Sequence, residues 1–173
     1  MNYTEQQKLL DKLRKWINSR LIERDCDYWF VTLNLKQGVP LPAVPLPAVS
    51  LPARSYPEYL TRESANNNVR QFLTKLNRAV FGNAHKRQKK RLIVVDAAEG
   101  GSGTNKREHR HMLLEKPERL SDTEFKALVC ETWLRTRWGY EHGKIERARS
   151  VPRVVHYVTE TGPDAVSYGT STF

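Results

Sequence analysis

The chain has 173 residues, about one domain's length, which argues against a multidomain machine and suffices for a core without disulfide staples. Its 29 Lys and Arg against 19 Asp and Glu leave a net charge of +10, a balance suited to a polyanionic partner such as nucleic acid or a membrane surface. Apolar residues make up 39%, with four Trp, seven Tyr and five Phe, so the chain is not a disordered basic tail. The longest aliphatic run, Leu92 to Val95, is far short of the roughly 20 residues of a membrane span. Met1 to Gln7 lack the parts of a secretory signal, and Cys26 and Cys130 suggest no disulfide framework. A cytoplasmic protein with no membrane partner is expected.

Thr4 and Gln7 read as a capping box, and Leu9, Leu13, Trp16 and Ile17 recur at helical spacing, which predicts a helix from Glu5 to Arg24 with Trp16 on its buried stripe. Tyr28 to Leu35 is rich in aromatic and β-branched residues and predicts a core strand, with Phe30, Thr32 and Asn34 on one face and Val31, Leu33 and Leu35 on the other. Three near-identical Pro-rich pentapeptides then fill 39–53. Pro excludes a helix interior or a central strand there, so polyproline II in a surface insertion over about 38–57 is expected. A tolerated repeat expansion fits better than a partner-docking ligand, because the repeat offers a groove no charge or aromatic anchor.

Val69, Phe72, Leu73, Leu76 and Val80 outline an amphipathic helix with Asn66 to Asn68 as caps and Gly82 at its end. The run 85–91 places Lys86, Arg87, Lys89, Lys90 and Arg91 together, a candidate grip on phosphates. A strand from Leu92 to Ala98, a Gly-rich turn at 100–105 and a return strand from Glu108 to Glu115 predict a hairpin. The turn lacks the Gly-Lys-Ser/Thr ending of a phosphate loop. Ser121 and Glu124 form a second capping box, with Phe125, Leu128, Val129 and Trp133 as the buried stripe of a helix to Arg137. After Gly139, a short basic stretch with strand character through Gly143 to Ala148 and a last helix entered at Pro152 close the order. The fold class predicted is α+β, a central antiparallel sheet of four to five strands (ferredoxin/RRM-like) with helices mainly on one face and the site on the open one.

The chemistry concentrates at His109-Arg110-His111. Side chains alternate along a strand, so the two imidazoles share one face, about 7 Å apart along the chain, and together can chelate one ion. The partner strand offers Asp96 and Glu99, either of which completes a two-His, one-acid site. Trp138 beside Arg135 and Arg137 is the candidate for stacking on an unpaired base.

This His-x-His strand, an acid about ten residues upstream and a Tyr on a closing helix form an ordered constellation. It resembles the HUH endonucleases, the superfamily of rolling-circle replication initiators, relaxases and related transposases. Phe30 to Leu35 resembles the first motif of that family, Glu108 to Leu114 its metal-binding second and Val154 to Glu160 its third. The segments Phe72 to Gly82 and Trp138 to Gly143 resemble the elements between them. The resemblance spans Asp27 to Gly162, with residues 1–26 as a packed N-terminal helix and 163–173 as a C-terminal tail.

The resemblance implies Mg²⁺ or Mn²⁺ held by His109, His111 and Glu99, with Asp96 and Glu160 as alternates, and Tyr157 as the nucleophile. It implies transesterification on single-stranded DNA or a DNA hairpin at an origin, leaving a covalent 5′-phosphotyrosine and a free 3′-OH. Lys144, Arg147, Arg149 and Arg153 would join the basic residues above in guiding the strand. No ATP-binding motif follows the third motif, so a host helicase and polymerase are the expected partners. Where many initiators carry Tyr-x-x-Lys, this chain has Glu160. A transposase acting on hairpin ends and a non-catalytic RRM-like binder are the alternatives, although the binder's Lys/Arg-Gly-Phe/Tyr-Gly/Ala-Phe signature is missing from the chain.

Overall fold

A computed structural model describes residues 3–24, 26–40, 57–101 and 106–172, except for the side chain of residue 142. The Pro-rich segment from 41 to 56 and the turn residues 102–105 lie outside the described residues. The elements are α1 (Tyr3–Ile22), β1 (Asp27–Leu35), β2 (Gly38–Val39), β3 (Glu58–Tyr59), α2 (Arg62–Phe81), α3 (Asn83–Arg87), β4 (Val94–Glu99), β5 (His109–Lys116), α4 (Asp122–Leu134), β6 (Gly139–Arg147) and α5 (Val151–Val158), followed by a short 3₁₀ turn, Pro163–Ala165. Four strands form the main sheet in the order β4-β5-β1-β6, with all three pairings antiparallel. Connected as β1-α2-β4-β5-α4-β6, this is a ferredoxin-like sheet, as the alternating sequence pattern predicted. A second, two-stranded sheet joins β2 and β3.

The alternation along β1 divides the protein. Trp29, Val31, Leu33 and Leu35 enter one cluster with Phe72 and Leu76 of α2 and Phe125, Val129 and Trp133 of α4. Trp133 stands edge-on to Phe72, with ring centroids 5.4 Å apart, and its indole donates to the Asn34 carbonyl. On the other face Tyr28, Ile93, Val95 and Leu113 meet Ile17 and Leu21 of α1 and Val155 and Val158 of α5. The helices therefore cover both faces, α2 and α4 one and α1 and α5 the other, rather than mainly one. Two patterned helices were available for the second face: the stripe Leu10, Ile17 and Leu21 of α1 is buried, and an apolar stripe must be buried against something.

Local chemistry sets the boundaries. Ser121 and Glu124 make the predicted capping box of α4. For α2 the box is Thr61 with Ser64, upstream of the expected Asn caps, and Asn68 turns inward instead. Its side chain donates to the Thr136 hydroxyl and accepts from the Trp138 amide. Asn77, further along α2, accepts from the Leu92 amide. Helix α1 starts at Tyr3, so Thr4 lies within it rather than capping it, and Trp16 is 42% exposed, off the stripe assigned to it. Gly100, in a positive-φ conformation, ends β4 where a Cβ would lie 2.3 Å from the Arg107 carbonyl oxygen. Neither cysteine is in a disulfide, and among the described residues no helix is long and apolar enough to cross a membrane.

The stretch 163–172 is built into the sheet edge rather than left as a tail. Val94 and Thr172 exchange both backbone hydrogen bonds, the Ser167 amide donates to the Asp96 carbonyl, and Ala97 bridges Val166.

Candidate metal and tyrosine site

Register places the ligands. In the β4·β5 pairing Glu99 stands opposite His109 and Ala97 opposite His111, while β1 sets Asn34 and Thr32 beside the same two histidines. His109, His111 and Glu99 therefore project from neighbouring strands onto one face, and their ligand atoms lie within 4.8 Å of one another. Glu99 Oε2 is 2.9 Å from His111 Nε2 and 3.6 Å from His109 Nε2, and the two Nε2 atoms are 3.1 Å apart.

The rings are held from behind. His109 Nδ1 lies 2.9 Å from the Arg107 carbonyl. A carbonyl only accepts, so that contact assigns a proton to Nδ1, and in the neutral ring Nε2 then offers its lone pair. His111 Nδ1 lies 3.2 Å from the Thr32 hydroxyl, which donates or accepts as the tautomer requires. A proton on His111 Nε2 is then shared between two acceptors, the His109 lone pair and the Glu99 carboxylate, and without it three lone-pair donors converge. Replacing that proton by a cation satisfies all three at once. Two imidazoles and one carboxylate, each ring fixed through its second nitrogen, are a fitting donor set for a divalent metal, and these residues could hold one.

The electrostatics agree with that reading. Burial and the neighbouring His109 hold the His111 pKa below its ordinary value, which keeps the ring neutral and able to ligate. Hydrogen bonds from Lys106 and His111 lower the pKa of Glu99 and keep it ionised.

Helix α5 delivers the tyrosine. Val155 and Val158 are buried against the sheet, and Arg14 of α1 donates to Thr159 at the helix end. Tyr157 lies edge-on to His111 at 5.2 Å and to Phe30 at 5.8 Å, while Phe30 stacks on His111 at 5.4 Å. Its side chain remains 45% exposed, at an open pocket of about 410 Å³ that Glu99, His111, Lys106 and Glu160 also line. Burial and the Glu99 and Glu160 carboxylates push the Tyr157 phenol above its usual value, so a phenolate there needs added positive charge. Glu160 lies in the turn after α5 and outside the three-residue cluster.

Asp96 is not a ligand. It is one residue out of step with Ala97 and Glu99, and it points through the sheet into a buried cluster with Arg110 at 3.3 Å and Thr170. Arg110, between the two histidines, also reaches Glu108, Asn66 and Ser167.

Most of the proposed strand-guiding residues stand away from the site. Lys86 to Arg91 precede β4, whereas Glu99 ends it, a separation of about 17 Å along the strand alone. Arg147 pairs with Asp27, Lys144 with Glu146 at 2.8 Å and Arg137 with Glu58 at 2.6 Å. Arg135 pairs with Glu131, and Arg149 follows β6. Trp138 is 4% exposed, packed in the α2 and α4 cluster, and so is a core residue and not a base-stacking platform. Arg153 does fall near, one turn before Tyr157 on the exposed face of α5.

The sequence reading missed Lys106, whose ammonium is 2.9 Å from Glu99 Oε1. It also missed Tyr59, Arg62 and Arg107, which line an adjoining groove of about 890 Å³. Only an approach in space, not a spacing, marks them. No protein-family model matches the chain, and no curated protein or solved structure is significantly similar to it.

Proposed function

We propose that the chain is a metal-dependent, single-tyrosine DNA nickase and joinase of the HUH type, serving rolling-circle replication of a phage, plasmid or similar mobile element. The observation that carries this is the convergence of Glu99, His109 and His111 beside Tyr157. When bound, Mg²⁺ or Mn²⁺ would supply Lewis-acid charge at the scissile phosphate.

The chain's own residues do the rest. Phe30 and His111 hold the Tyr157 ring at the pocket. The phenol oxygen attacks phosphorus as its proton leaves, the bond from phosphorus to the 3′-oxygen breaks, and that oxygen takes up a proton. One phosphodiester becomes another, a 5′-phosphotyrosine, so the strand can be rejoined by the reverse step. Tyr59, Arg62 and Arg107 would receive the flanking strand, one aromatic face among cations.

The fold also suits an RRM-like binder, but such a module reads RNA on an open sheet, and here α1 and α5 occupy much of that face. Incubation with pooled labelled single-stranded oligonucleotides and Mn²⁺, followed by a denaturing gel, tests the reading. A covalent adduct that is absent in Tyr157→Phe and His109→Ala supports it. Tight metal-independent binding with no adduct refutes it, and preference for hairpin ends in joining assays points to the transposase.

A further inference from the structure

The charges around Tyr157 do not balance with the metal alone. The pocket carries the carboxylates of Glu99 and Glu160, and the reaction would bring a phosphodiester anion and a developing phenolate to it. Two positive charges from a divalent ion leave that set net negative by two. Among the described residues lining the pocket, Lys106 is the one cation.

Its geometry fits a second task. Lys106 Nζ donates to Glu99 Oε1, whereas the histidines face Glu99 Oε2, so the ammonium and a metal need not compete for the same oxygen. An ammonium has three donors, and this side chain is 70% exposed, so it can donate to a ligand and to Glu99 together. It also lines the neighbouring groove with Arg62 and Arg107, so a strand running from that groove to Tyr157 passes Lys106.

We propose that Lys106, on the hairpin connection between β4 and β5, contacts a non-bridging oxygen of the phosphate bound beside Tyr157, supplying from across the pocket the positive charge that Glu160 cannot supply from the tyrosine helix. This rests on the nickase reading for the identity of the phosphate.

The test has a binding arm and a reaction arm. In the binding arm, the unreactive Tyr157→Phe protein is titrated with a labelled random-sequence single-stranded oligonucleotide pool in Mn²⁺, with and without Lys106→Gln. The expected result is weakening of about 5-fold or more and a salt slope smaller by about 0.7, the value for one phosphate that the protein no longer neutralises. Lys106→Arg should restore both, with Mn²⁺ saturating in every protein, because Lys106 also holds the ligand Glu99 and its loss is expected to weaken Mn²⁺ binding by about 10-fold on calorimetry. Pool binding unchanged within about two-fold in Lys106→Gln overturns the proposal, being less than one charged hydrogen bond is worth. So does a weakening that excess Mn²⁺ abolishes, since Lys106 would then act only by holding Glu99.

In the reaction arm, Lys106→Gln in the otherwise unaltered protein is expected to slow adduct formation about 100-fold. An unaltered rate there also overturns the proposal. A protein that forms no adduct yet binds the pool more weakly with Lys106→Gln overturns the nickase reading and keeps the phosphate contact.

Discussion

Asp96 and Glu99 are carboxylates three residues apart on one strand, and the structure gives them opposite consequences. In Asp96→Ala the Arg110 guanidinium, itself 0% exposed, loses its closest carboxylate at 3.3 Å. Breaking a buried pair from one side costs about 3 to 5 kcal/mol, because the remaining charge is left uncompensated. Glu108 at 3.4 Å offsets part of this, so the lower end, about 3 kcal/mol, is expected. For a domain of this length that is about 6 to 12 °C of melting temperature. Mn²⁺ affinity should stay within about two-fold, since Asp96 faces away from the histidines. Glu99→Gln should do the reverse, leaving stability within about 1 kcal/mol and lowering Mn²⁺ affinity by at least about 100-fold. Thermal melts in chelator and calorimetric Mn²⁺ titrations measure both. If Asp96→Ala melts within a degree or two of wild type, or loses metal, the division of labour across the sheet is wrong. The double variant Asp96→Leu, Arg110→Met should recover part of the stability, because that pair of charges is then gone, while Glu108 loses Arg110 and, among the described residues, keeps only Arg62 at 3.7 Å.

Three further outcomes follow from the contacts. Thr32→Val removes the hydroxyl beside His111 Nδ1 and should cost about 10-fold in Mn²⁺ affinity while leaving the melting curve nearly unmoved, as calorimetry and thermal melts will show. Ser121→Ala takes away the α4 cap and should cost about 1 kcal/mol in urea titration without touching metal binding. The folded-state pKa of His111 is held below its ordinary value of 6.5, so the unfolded chain binds the proton first as pH falls. Stability in chelator should therefore be fully present above about pH 7 and decline through the low sixes and below, with a steeper fall in wild type than in His111→Gln. Equal slopes in the two proteins would refute the assignment.

Much of this site was legible before any fold was known, because strand parity is arithmetic. His109 and His111 must share a face, and Glu99 meets them once the hairpin register is set. The same arithmetic places Asp96 on the other face when Glu99 faces the histidines, yet the sequence alone could not say which of the two acids the hairpin would align. Helix patterning was also legible where one stripe dominates, as in α2 and α4. It misled at α1, where Leu9 and Trp16 lie beside the buried stripe and compete with it. Trp138 was misread because flanking arginines describe its chain neighbours, whereas its burial depends on Asn68, distant in sequence, which holds its backbone amide. Lys106 carried no local signal, because its approach to Glu99 is set by the backbone bond between Gly101 and Lys106 and not by any spacing.

The pairing of Val94 with Thr172 alters where this domain can be said to stop. Motif resemblance alone would cut at Gly162, and a shortened protein made on that basis would strip β4 of the partner along its outer side. The strand bearing Glu99 would then become an unpaired edge, the kind that recruits other chains, and Asp96 would lose the Thr170 hydroxyl it accepts from. A recombinant fragment ending at 162 is therefore expected to show poor solubility and a displaced Glu99, whatever the role of Tyr157. Fusions made after 172, by contrast, leave the strand that positions the site intact.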